Sequence, residues 1–154
     1  MSDAVAPQAV NFQVNAQYIK DLSFEAPGTP QIFAALAGAQ PEVSVQINLD
    51  AQPLGNRLYE VTLHLAVEAK LKEKTAFILD LTYCGIFTVE VPEEHLQPML
   101  LIECPRLLFP FARNIVADAV RDGGFPPIML QPIDFVALFR SRMEQMAAQQ
   151  KSQS

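Results

Sequence analysis

Long apolar runs are missing from this 154-residue chain, and no segment is long enough to cross a bilayer as a helix. Cysteine is scarce: Cys84 and Cys104 are the only two, which argues against a disulfide framework and suits a reducing compartment. Basic residues are few, 11 against 17 acidic, giving a formal charge of −6 that repels nucleic acid and anionic lipid and attracts basic segments. The opening MSDAVAPQAV has no basic region followed by an apolar stretch, so no secretory signal is expected and the chain is expected to be cytoplasmic.

Catalytic patterns are missing too. There is no Walker or Rossmann glycine pattern, no CxxC pair and no HExxH. His64 stands among polar residues of a predicted strand and His95 follows two glutamates; a metal site or nucleophile needs several convergent partners, so both are expected to be surface residues. Cys104 before Pro105 reads as a small buried residue at a helix start, with only Arg106 nearby to activate a thiol. No catalytic residue, metal or cofactor is expected.

Apolar residues are plentiful. Half the chain is hydrophobic and 18% is charged, enough for one domain's core with material left over, so an oligomer is expected. Alternation of apolar and polar residues, which puts successive side chains on opposite faces of a strand, marks four segments. Residues 12–24 set Phe12, Val14, Ala16, Tyr18, Leu22 and Phe24 against polar neighbours, with Ile19 and Lys20 breaking the pattern. Residues 43–50, 58–71 and 77–83 repeat it, joined by a turn at 54–57 and by KEK at 72–74.

The period then changes to helical. Leu107, Leu108, Phe111, Ile115, Val116, Ala119 and Val120 share one face, Pro105 and Pro110 are expected to start or kink that helix, and Gly123–Gly124 to end it. Asp134 is the expected N-cap of a second helix carrying Phe135, Leu138, Phe139, Arg142, Met143 and Met146. The predicted class is α+β: a single domain over residues 1–154, with a four-stranded antiparallel sheet, two C-terminal helices packed on one face, and loose ends at about 1–10 and 147–154.

YIKDLSFEAP at 18–27, TAFILDLTYCGIF at 75–87, and CPxxLFPxAR and GxFPxxxLxPxxFxxLF within 104–139 resemble the SecB family of bacterial protein-export chaperones, over residues 12–143. The resemblance is slight at 33–57, and the tryptophan many members carry in the crossover segment is absent. It implies an ATP-independent holdase, a homotetramer built as a dimer of dimers, that keeps unfolded precursors export-competent and delivers them to the ATPase SecA, with no direct membrane insertion. It assigns SecA binding to Asp21, Glu25, Ile78 and Asp80, on the predicted polar face, and leaves Leu22 and Phe24 to anchor the sheet to its helices. Client binding falls to a groove including Ile32, Phe33, Leu36, Phe125, Ile128 and Met129, any of which could equally be core. Leu79, Leu81 and Tyr83 become candidates for the oligomer interface, or plain core. Two alternatives stay open: a related chaperone guarding an antitoxin, and a small-ligand domain on the same sheet.

Overall fold

Alternation along the chain builds four strands: β1 (Asn11–Glu25), β2 (Glu42–Gly55), β3 (Leu58–Leu71) and β4 (Lys74–Glu90), in a computed structural model that describes residues 11–152. They form one antiparallel sheet in the order β1-β4-β3-β2. The β2–β3 hairpin closes through Asn56 and Arg57, both at positive φ, a two-residue turn whose twist matches that of the flanking strands. The two long middle strands carry the core, with Val61, Leu63, Leu65 and Val67 of β3 and Phe77, Leu79, Leu81 and Phe87 of β4 buried on one face.

The cover for that face comes from the helical third of the chain. A run of α2 (Glu93–Pro98), a π-helical turn (Met99–Glu103) and α3 (Cys104–Asp122) is continuous where a single helix is expected. Pro105 stands at the junction of the π-helical turn with α3 and has no N–H to donate back to the preceding turn. Pro110 lies inside it, leaving the carbonyl of exposed Arg106 without its usual donor. α3 packs on β4 and β3, and Gly85 makes the approach possible: a Cβ there would meet Leu108 at 2.9 Å and Phe87 at 2.7 Å. The helix ends as expected. Gly124 at φ +97° donates to the carbonyl of Arg121, and Phe125 donates to that of Val120, a left-handed cap that turns Phe125 into the core. α4 (Phe135–Ser152) starts at the expected cap, with Asp134 Oδ1 accepting from the Ala137 N–H at 3.0 Å. It is tethered to β2 by Arg142 Nη1, which donates to the Leu49 carbonyl at 2.6 Å.

Three readings of the sequence need correction. β1 contains two bulges, at Asn15 and Lys20, shown by register shifts between Val14 and Ala16 and between Ile19 and Asp21. Each extra residue reverses parity, so Ala16 and Tyr18 face away from the helices while Gln17 and Ile19 face the helix side; the second bulge restores the pattern from Asp21 onward. Ile19 and Lys20 break the alternation for this reason. Leu22 points to the helix side but anchors little, being 41% exposed at the sheet edge; Phe24 does anchor, stacked on Phe77 at 5.5 Å. A short helix α1 (Gln31–Leu36) also forms in the crossover after β1, where none is expected. The expected loose end at 1–10 lies outside the described residues, and α4 runs on to Ser152.

Candidate functional site

Strand pairing brings the four outer-face candidates together. On the face away from the helices, Glu25 lies directly opposite Ile78, Ser23 opposite Asp80 and Asp21 opposite Thr82. Asp80 is therefore diagonal to both Asp21 and Glu25, and diagonal neighbours across an antiparallel pair stand about 7–8 Å apart. Ile78, 39% exposed, lies among these carboxylates. Neither Asp21 nor Glu25 has an ion-pair partner among the described residues; Lys20, next to Asp21 in sequence, pairs with Glu60 at 3.2 Å, and Lys70 of β3 pairs with Glu68 at 3.9 Å. Asp80 is in hydrogen-bond contact with Nε2 of His64 on β3. The result is a patch of negative charge with one aliphatic side chain.

Beside the patch, Tyr18 reaches across β4 and hydrogen-bonds to Glu60 on β3, a contact made possible by the first bulge, which turns Tyr18 outward. That hydrogen bond is the main reason the Glu60 carboxyl is held below the usual carboxylate range. Under the bridge lies Cys84, fully buried, with its thiol pushed up by desolvation. Cys104 is also fully buried, and desolvation pushes its thiol up to about 12. Neither is placed to react. Among the described residues no three His, Cys, Asp or Glu side chains converge to hold a metal ion.

The helix-facing side of the sheet is only partly covered. α3 lies over the two central strands, so the edges remain open: Val43 and Val45 on β2 are exposed although they point to the helix side. Phe125 sits at the centre of an aromatic cluster, with ring centroids 5.1 Å from Phe77, 5.2 Å from Phe33 and 6.2 Å from Phe24. Next to it opens a cavity of about 450 Å³ whose lining includes Leu36, Pro41, Val43, Phe77, Phe125 and Ile128. A second cavity of about 470 Å³ follows along β2, between Val45 and Ile47 on one side and Ile133 and Leu138 on the other. Because Val43, Val45 and Ile47 are successive helix-side residues of one strand, the two cavities share a continuous apolar floor.

Of the six groove candidates, Leu36, Phe125 and Ile128 line the first cavity. Phe33 stands on its rim, 41% exposed, and Met129 projects outward at 60%. Ile32 is in the core at 2% exposure. Leu79, Leu81 and Tyr83 are buried within the subunit's own core, so any influence of theirs on association passes through the shape of the sheet. The β2 floor escaped the sequence reading. The signal for it was present: four strands offer more apolar face than two helices cover.

Comparison with known proteins agrees with this architecture. The profile of the family described as "SecB: Preprotein translocase subunit SecB" matches residues 5–146. The chain belongs to the SecB family. It is 55% identical to the protein-export protein SecB of Paramagnetospirillum magneticum over 152 residues, covering 97% of this chain and 98% of that protein. It is 56% identical to that of Rhodospirillum rubrum over 131 residues, 85% of this chain and 81% of the relative. A SecB-like chaperone of Mycobacterium tuberculosis, solved in complex with a ChAD peptide from the HigA1 antitoxin, has the same fold: TM-score 0.62 at 16% identity, over 80% of this chain and 91% of that one. The family is one of protein-export chaperones. No helix among the described residues is long and apolar enough to cross a membrane.

Proposed function

We propose that this member of the family is an ATP-independent holdase that binds extended apolar segments of unfolded precursors along the β2 groove and offers its acidic outer face to SecA. The observation that carries this reading is the division of one sheet into two working faces. The helix-facing side has an uncovered apolar strip, and the opposite side has three carboxylates grouped around Ile78.

Apolar contact is non-directional, which suits clients of many sequences. A segment burying on the order of 300 Å² in one groove gains roughly 7 kcal/mol before costs. Loss of translational and rotational freedom takes most of that. One groove is too weak alone. A homotetramer, assembled as a dimer of dimers, presents several grooves to the same long chain, and linked weak sites hold what a single site releases. Each copy carries a formal charge of −6, so the assembly also attracts basic client segments at low salt. Clients that bury their own apolar surface quickly escape, and no nucleotide is consumed. The working compartment is the cytoplasm.

On the other face, an aliphatic side chain among carboxylates fits a partner segment that is basic and partly apolar, and the docking residues are Asp21, Glu25, Ile78 and Asp80. The test has two arms. A slow-folding export precursor is diluted from denaturant with an excess of this protein and without nucleotide; unchanged aggregation and refolding defeats the holdase reading. Asp21→Ala with Asp80→Ala is then expected to weaken SecA binding while client holding persists. Equal loss of both defeats the assignment of separate faces.

A further inference from the structure

Lys20 precedes Asp21 in sequence and would be expected to neutralise it, yet its ammonium lies elsewhere. It is held by both carboxylate oxygens of Glu60, at 3.3 and 3.2 Å, two strands away. The pairing registers show how far this draws it. Asp21, Asp80 and Glu25 occupy the stretch of β4 from Ile78 to Thr82, whereas Glu60 stands opposite Ile86. Glu60 is itself held in place by the Tyr18 hydroxyl, which donates to the same carboxylate from β1. Lys20 is the residue left unpaired by the second bulge, so its side chain is not committed to the position that alternation would give it. Two local irregularities, the bulges before Tyr18 and at Lys20, thus place both donors within reach of one acceptor.

We propose that Glu60, oriented by Tyr18, is a positioning residue for partner docking: it draws the Lys20 ammonium off the acidic patch, so that a basic segment of the partner meets Asp21 and Glu25 without a bound cation and Asp80 with only its His64 contact. This inference rests on the docking role proposed above. Without Glu60, the flexible Lys20 stem returns its charge to the adjacent carboxylates, and an incoming cation has to displace it. The effect concerns who occupies the patch and is distinct from the overall charge of the protein.

The experiment measures the affinity of the intact assembly for SecA at low salt. Glu60→Gln keeps an acceptor for Tyr18 and is expected to weaken binding roughly threefold, the scale of one exposed ion pair. Adding Lys20→Gln to Glu60→Gln is expected to restore the original affinity. Adding Arg140→Gln instead, which removes an exposed cation of α4 and restores the same net charge, is expected not to. Tyr18→Phe, which leaves every charge in place, is expected to weaken binding by less than Glu60→Gln and to be rescued by Lys20→Gln; it carries the test if Glu60→Gln lowers the urea midpoint. Equal rescue by Arg140→Gln and Lys20→Gln, or no rescue by either, overturns the proposal. If Asp21→Ala with Asp80→Ala leaves SecA binding unchanged, the docking role itself fails, an outcome separate from the Glu60 comparison.

Discussion

Truncating Phe125 and Phe33 to alanine separates the wall of the groove from its rim. Phe125 is 5% exposed, follows directly on the Gly124 cap and contacts three other rings. Its removal takes the full transfer energy of a buried phenyl group together with the cavity left between Phe24 and Phe77, about 4 kcal/mol. Phe33 is 41% exposed and packs on the Phe125 ring at 5.2 Å, so Phe33→Ala should cost about 2 kcal/mol, the buried part of the ring plus one aromatic pair. For client binding the order should reverse per unit of lost stability. A half-exposed ring on the rim offers its surface to the client, and losing about 1 kcal/mol at each groove lowers the affinity of that groove roughly fivefold. The measurement is urea unfolding at fixed protomer concentration, since assembly contributes to apparent stability, beside the ratio of chaperone to precursor needed to suppress aggregation. Phe33→Ala should lose about half as much midpoint as Phe125→Ala and yet need more chaperone per precursor. The reasoning is refuted if Phe33→Ala destabilises as much as Phe125→Ala, or if it holds precursor as well as the original protein.

Gly85→Val places carbon where Leu108 and Phe87 already stand within 3 Å of a Cβ, and should destabilise by about 2 kcal/mol through overpacking; an unchanged melting curve would show that α3 can lift off the sheet. Asp134→Ala removes the cap of α4 and should cost about 1 kcal/mol in thermal or urea unfolding, with Asp134→Asn milder because its side chain still accepts from Ala137. Glu60 has a folded-state value below its unfolded one, chiefly through the Tyr18 hydrogen bond. Its contribution is therefore complete above the ordinary glutamate value, about 4.3, and is lost as pH falls through the lower folded value. Midpoints measured down that range should fall more steeply for the original protein than for Glu60→Gln, and coincident profiles would exclude the linkage. Cys84 and Cys104 are fully buried with raised thiols, so neither should react with a thiol reagent at pH 8 until denaturant is added; rapid native labelling would contradict the packing of both.

Much of the acidic outer face was legible because period-two alternation is local. From Asp21 to Glu25 and from Ile78 to Asp80, parity alone assigned the correct side, and strand pairing then placed Glu25 against Ile78. The ends of the helices were legible for the same reason: Gly124 and Asp134 act through hydrogen bonds to residues a few positions away. Alternation failed between Ala16 and Ile19, because a bulge is a backbone event with no side-chain signature of its own. The groove was half legible. Its aromatic residues stood out, whereas the floor on β2 did not, since exposure of Val43 and Val45 depends on where the covering helices stop.

By itself, then, the sequence determined the strands, their two faces, the helix caps and the family, all of which depend on neighbours along the chain or on motifs several residues long. The tertiary structure alone decided which apolar side chains are left uncovered and which charges meet. Lys20 and Glu60 are 40 residues apart and become partners only when β1 pairs with β4 and β4 with β3. A salt bridge across a sheet follows from strand order and register, and those are set by the cooperative burial of the whole helix-facing side, which no local pattern encodes.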